Sequence, residues 1–246
     1  MPLTSNWPFL TARWQNLFLA TYAVPDELLI PRLPPGLELD RRDGSAFVSL
    51  VAFDFLETRV LGVSWPGYRD FPEVNLRFYA RRGDERGVVF IRELVPRRAV
   101  AWLARLLYNE PYAAVPMVST ATDLGDAVTI EHRVFDRNRI HTIRATGAKP
   151  AVRPGPDSTE HFFKEHQWGY GRTRRGATLR YEVRHPVWDV FPVRDFQIDV
   201  DWAALYGPEW AFLQDATPVS TVIAAGSDVA VYRGVRYSVL DGNRIA

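Results

Sequence analysis

No cysteine occurs in the 246 residues, which excludes disulfides, thiolate nucleophiles and cysteine-held zinc or iron–sulfur centres. Lysine is nearly absent too: Lys149 and Lys164 stand against 28 arginines. Lysine-dependent chemistry therefore has two candidates at most. No window approaches the roughly 18 uncharged apolar residues that a membrane-spanning helix needs. The opening MPLTSNWPFLTARW lacks a basic stretch followed by an apolar run, so no secretory signal is expected, and a cytoplasmic location is. A net charge of +1 supplies no field for nucleic acid or an anionic membrane, and neither is expected as a partner. Nucleophile elbow, glycine-rich phosphate loop and dinucleotide fingerprint are all missing, and no cofactor is implied.

What is present is a strand-rich chain with 47% hydrophobic residues, enough to bury a full core. Ala46–Leu56 is an apolar run rich in Val and Phe, which reads as a strand. Val74–Ala80 alternates: Val74, Leu76, Phe78 and Ala80 share one face, Glu73, Asn75, Arg77 and Tyr79 the other. Gly87–Leu94 pairs with it across the turn Arg81–Arg86. Further strands are expected at Val128–Val134, Ile140–Ala145, Ala177–His185 and Val229–Leu240, with a hairpin turn at Arg175-Gly176. Helices are expected at Pro25–Ile30, at Ala99–Tyr108 and at Asp199–Tyr206, the last ended by Gly207-Pro208. The proline-rich Lys149–Pro156 is short and flanked by strands, so it reads as a loop within one domain spanning 1–246. Many short strands with few helices give a β-dominated α+β fold, a curved sheet or barrel with helices packed outside.

Titratable and aromatic groups concentrate in EHFFKEHQWGYGRTRRGATLRYEVRHPVW, Glu160–Trp188. It holds three of the five histidines, one of the lysines and two of the eight tryptophans. His132, His141 and His185 each fall on the apolar face of their strands, so a barrel interior could gather imidazoles. The competing reading is three core histidines, each bonded to a neighbour. No H-x-H or H-x-x-x-H spacing supports a metal, and none is expected. Lys164 reads as the exposed side of a short helix. The polar face of Glu73–Tyr79 has two readings, a solvated face of a sheet or the wall of a pocket inside a closed barrel. In the second, Glu73 supplies acid/base chemistry and Arg77 an anion clamp.

Two blocks carry a family resemblance. They are RWQNLFLATYAVPDELLIPRLPPGLELD, ending at Asp40, and the Glu160–Trp188 segment with LYGPEWAFL and AAGSDVAVYRG after it. Together they resemble the YqjF-like family of uncharacterised bacterial proteins, which is similar in fold to acetoacetate decarboxylase. The resemblance implies an antiparallel sheet curled into a cone-shaped barrel, a few outer helices and an internal pocket. The decarboxylase's imine-forming lysine follows a proline; in the matching ARLLYNEPYAA the residue after Pro111 is Tyr112. Without that amine the covalent mechanism is not implied. The family's glutamate matches Glu73, and its clamping arginine falls near Arg13 or Gln15.

The resulting expectation is a small-molecule-binding barrel, an acid/base enzyme on a small organic acid or carbonyl compound. Glu73, Arg77 and Tyr112 form its catalytic group. Asn75, His166, Trp168, Arg180, His185 and Trp188 form its ligand wall. The rival is a non-catalytic sensor or carrier of a hydrophobic ligand, and a homo-oligomer stays open. A third reading, an interaction module, would leave no cavity and a large exposed apolar patch.

Overall fold

The computed structural model describes residues 7–99, 111–137 and 139–237. The first strands are β1 (Leu10–Val24), β2 (Glu38–Leu39), β3 (Ala46–Val60), β4 (Phe71–Arg82), β5 (Glu85–Val95) and β6 (Tyr112–Ala114). Next come β7 (Met117–Asp123), β8 (Ala127–Asp136), β9 (Arg139–Ala148), helix α1 (Thr159–Lys164), β10 (Trp168–Arg172) and β11 (Thr178–Arg184). The chain then forms β12 (Val190–Phe191), β13 (Val193–Asp199), helix α2 (Trp202–Tyr206), β14 (Ser220–Ala224), β15 (Ser227–Val231) and β16 (Val235–Tyr237).

Seven strands close into a ring, in the order β1, β3, β4, β5, β10, β11, β15 and back to β1. Every joint is antiparallel except one: β10 runs parallel to β5, with Trp168 beside Gly87 and Tyr170 beside Val89. Closure removes the open edges that a sheet of this size would present. A second sheet, in the order β13, β9, β8, β7, lies against the outside of the ring.

This layering explains the apolar run in β3. Val48, Leu50 and Ala52 point outward into a core shared with Ile130 and Val134 of β8, Ile143 of β9 and Trp202 of α2. Val51, Phe53 and Phe55 point into the barrel. A strand buried on both faces reads as continuously apolar. On β4 the outward residues Val74, Leu76, Phe78 and Ala80 are fully buried beneath the second sheet. The alternate residues, Glu73, Asn75, Arg77 and Tyr79, therefore face the interior.

Several elements differ from the sequence expectation. Pro25–Ile30 forms 3-10 turns, Asp26–Leu28 with Ile30–Arg32 after it, because Pro31 interrupts any longer helix. Val229–Leu240 divides into β15 and β16, and 238–240 lie outside the described residues. So does nearly all of the expected helix Ala99–Tyr108. Helix α2 starts at the cap Asp201, whose carboxylate accepts the Ala204 N–H at 3.0 Å, and stops at Gly207 with φ +118°. Among the described residues no helix is long and apolar enough to cross a membrane.

Candidate active site

The barrel interior encloses a cavity of about 400 Å³. Trp14 of β1, Phe53 and Phe55 of β3, Phe71 of β4 and Trp188 supply an aromatic wall. Trp14 packs against Phe53 at 4.9 Å and Trp188 at 6.0 Å between centroids, while Phe55 stacks on Phe71 at 4.9 Å. Polar groups occupy two places in this apolar surface.

The first is the floor. Glu73 is only 2% exposed. Asn75, two residues along the same face, donates Nδ2–H to Oε1 at 2.9 Å, and the Tyr112 hydroxyl donates to Oε2 at 3.2 Å. Burial raises the Glu73 carboxyl to about 7, against smaller opposite pulls from Asn75, Tyr112 and Arg77. The phenol is pushed well above its ordinary 10, by burial first and then by Glu73 and Glu93, so it stays a donor at neutral pH. Glu93, also 2% exposed, reaches the floor because it sits opposite Asn75 in the β4–β5 pair and beside Tyr112 in the β5–β6 pair.

The second place is the side wall, built by α1 and the residues after it. Ser158 caps α1 by accepting the His161 N–H at 3.1 Å. Phe163 anchors the helix against Phe47 and Tyr79. This docking turns Lys164 inward: its side chain is fully buried, and Nζ is engaged by the carboxylate of Glu165. The expectation of an exposed Lys164 is thus overturned. Glu165 also accepts the Trp188 backbone N–H at 3.3 Å. His166 is 8% exposed, lies 4.9 Å from the Tyr79 ring, and neither ring nitrogen has a hydrogen-bond partner. Burial, followed by Arg77 and Arg86, holds its pKa well below 6.5, so the ring is neutral. His185 stacks on Trp188 at 4.0 Å and 14°, with Nδ1 directed at the Pro186 carbonyl at 2.9 Å.

Glu73, Arg77, Tyr112, Asn75, His166, His185 and Trp188 therefore share one cavity. Trp168 also borders it, although its ring carries the Arg180 guanidinium at 4.0 Å. Arg180 does not line the cavity. It alternates with Leu179 and Tyr181 on β11, so when Tyr181 points inward Arg180 points out and pairs with Glu85. His132 and His141 do not join His185 at the cavity. His132 is buried under the second sheet with Nε2 3.0 Å from the Asn16 carbonyl, and His141 accepts the Asp201 N–H through Nδ1 at 3.0 Å. Among the described residues no cluster with metal-ligand geometry occurs. Near the N-terminus Arg13 points outward to Asp228 at 2.9 Å, and Trp14 is the residue that borders the cavity. Glu93 and Lys164 line the cavity and were missed by the sequence reading, as was Glu165, the partner of Lys164.

Comparison with known proteins places this geometry. The chain matches the family DUF2071, described as an uncharacterized conserved protein, over residues 11–228. It is 28% identical over 178 residues to the uncharacterized protein YqjF of Bacillus subtilis (strain 168), covering 71% of this chain and 72% of that one. An acetoacetate decarboxylase-like enzyme from Sphingomonas wittichii RW1 superposes with a TM-score of 0.64 at 12% identity, over 93% of each chain. The enduracididine biosynthesis enzyme MppR, complexed with pyruvate, superposes with a TM-score of 0.63 at 12% identity, over 96% of this chain and 92% of that one. These likenesses establish an acetoacetate-decarboxylase-like fold.

Proposed function

The chain belongs to the DUF2071 family of uncharacterised conserved proteins, and on that premise we propose that its cavity is the active site of an acid/base enzyme acting on a small organic acid or carbonyl compound. One observation carries this reading. The Glu73 carboxyl is buried on the floor of an aromatic cavity, oriented by Asn75 and Tyr112, with its pKa raised to about 7. A carboxyl tuned to neutral pH exchanges a proton with little free-energy cost in either direction, as general catalysis requires.

The step this arrangement suits is proton transfer at the carbon beside a carbonyl. The Glu73 carboxylate takes the α-proton, the C–H electron pair moves into the enolate, and the same carboxyl returns a proton to carbon. Tyr112 and Asn75 keep the carboxyl aimed throughout. An imine is not part of this reading, because Tyr112 occupies the position after Pro111 and Glu165 engages the Lys164 amine. The pyruvate complex of MppR supports a small carbonyl ligand for this fold.

Deuterium exchange at the α-carbon of a panel of ketones and keto acids tests the proposal. The wild-type protein should catalyse exchange with a midpoint near pH 7, and Glu73→Gln should lose at least about 100-fold of it. Borohydride added to the same mixtures should leave Lys164 unmodified. Binding without exchange, undiminished in Glu73→Gln, would identify a carrier. That outcome is the second reading, favoured by the largely aromatic wall.

A further inference from the structure

Within the cavity, one cation lacks a counter-ion. Arg77 lines the interior, and its hydrogen bond to the protein is a long one, from Nη2 to the Phe163 carbonyl at 3.4 Å. Its Nε is buried without a partner, and no carboxylate among the described residues lies within ion-pair distance. The neighbouring cation, Lys164, is already neutralised by Glu165. His166 presents two unpartnered ring nitrogens on the same wall at 8% exposure. Buried donors without acceptors are expensive, and their clustering beside an unpaired guanidinium describes the shape of an absent anion. A guanidinium with no carboxylate in contact suits one negative charge, and with a nearby ring N–H it fits the two oxygens of a carboxylate.

Spacing defines the rest of the ligand. Glu73 and Arg77 lie on one face of β4 four residues apart, so their α-carbons are separated by about 13 Å, a spacing that side chains standing roughly perpendicular to the sheet keep approximately. After each end spends ~3 Å on its own contact, roughly 7 Å remains, about five or six single bonds at extended-chain rise. A benzene ring substituted at opposite positions covers a similar length; Val51 faces Asn75 between the two ends, and the aromatic wall begins with Phe53 opposite Glu73.

We infer that the site takes an arylketone carboxylate, with the carboxylate on Arg77 and His166 and a ring-length apolar spacer carrying the carbonyl to Glu73. This rests on the acid/base reading for the carbonyl end alone. Short keto acids such as pyruvate, whose carboxylate and carbonyl are adjacent, cannot reach both ends at once.

The test compares 4-acetylbenzoate, its methyl ester and pyruvate, with binding read from tryptophan fluorescence and methyl-proton exchange from NMR. Wild-type protein should bind 4-acetylbenzoate at least about tenfold more tightly than either of the others, the worth of a charge-assisted contact. Arg77→Gln should erase that preference while leaving ester affinity in place, which also shows that the variant is folded. Should Arg77→Gln not fold, Arg77→Lys keeps the charge, loses the fork, and should retain only part of the preference. His166→Asn should weaken the acid and spare the ester. Equal binding of acid and ester by the wild-type protein, or a preference untouched by Arg77→Gln, overturns the inference. Ester exchange without acid preference would overturn the clamp and leave the Glu73 reading standing. Acid preference without exchange would support the clamp and sink the Glu73 reading.

Discussion

At the scale of single residues, the sequence reveals what a side chain is but not which surroundings it will meet. Glu73 was legible because strict alternation in β4 puts it on the same face as Asn75 and Arg77. Lys164 was not, because a lysine in a helix of six residues is ordinarily solvated. Its burial comes from Phe163 docking the helix against Phe47 and Tyr79, a tertiary fact, which turns the amine inward to be engaged by Glu165, its neighbour in sequence. Arg180, expected on the ligand wall, failed the other way: the pleat sends it outward to Glu85 and Trp168. Tyr112 gives the residue-scale prediction. Its hydroxyl stabilises the ionised form of Glu73, so Tyr112→Phe should move the pH midpoint of proton exchange upward by about one unit, the worth of one hydrogen bond to a charged group. An unchanged midpoint would show that the contact has no electrostatic role.

At the scale of elements, the hairpin β4–β5 explains why Glu93 went unread. From the turn, Arg82 pairs with Glu85 and Arg77 with Phe90, a register that would put Arg92 opposite Asn75. A bulge at this point adds one residue to β5, so Glu93 faces Asn75 and Arg92 turns outward to the Leu205 carbonyl at 2.6 Å. A one-residue slip exchanges the faces of everything beyond it. The cavity floor therefore gains a carboxylate where uninterrupted pairing would have placed a guanidinium. No turn signal or propensity announces such a bulge. The β10–β11 hairpin was legible from Gly176 at its turn, with φ +83°. Gly169 in that hairpin has a tertiary reason to be glycine. A Cβ there would lie 2.1 Å from the Tyr181 ring, which it would push into the cavity. Gly169→Ala should cost about 1–3 kcal/mol in urea unfolding and weaken binding of any cavity ligand.

At the scale of the whole molecule, closure of the barrel decides the meaning of the pattern. The polar face of β4 would be a solvated surface in an open sheet; in the ring it becomes the wall of a cavity, and the apolar face lies beneath the second sheet. Periodicity records two faces without saying which is inside, so the fold class could be read from the sequence while the site remained two-valued. The same closure separates His132 and His141 from His185, since β8 and β9 belong to the outer sheet.

Burial of Glu73 also links the site to global stability. The folded protein keeps this proton up to about pH 7, whereas the unfolded chain releases it near the ordinary 4.5. Between those values the folded state binds more protons, so this group's contribution to stability is full below 4.5 and is lost as pH rises through about 7. Glutamine does not titrate, and the other ionisable groups are common to both proteins. The most direct measurement is therefore the unfolding free energy of wild type and Glu73→Gln, compared from pH 4 to pH 8. The variant should gain on the wild type by on the order of 3 kcal/mol across that range, with the change centred between 4.5 and 7. A difference that stays constant with pH would mean that Glu73 titrates like an exposed carboxylate, and the proton-transfer role assigned to it would be wrong.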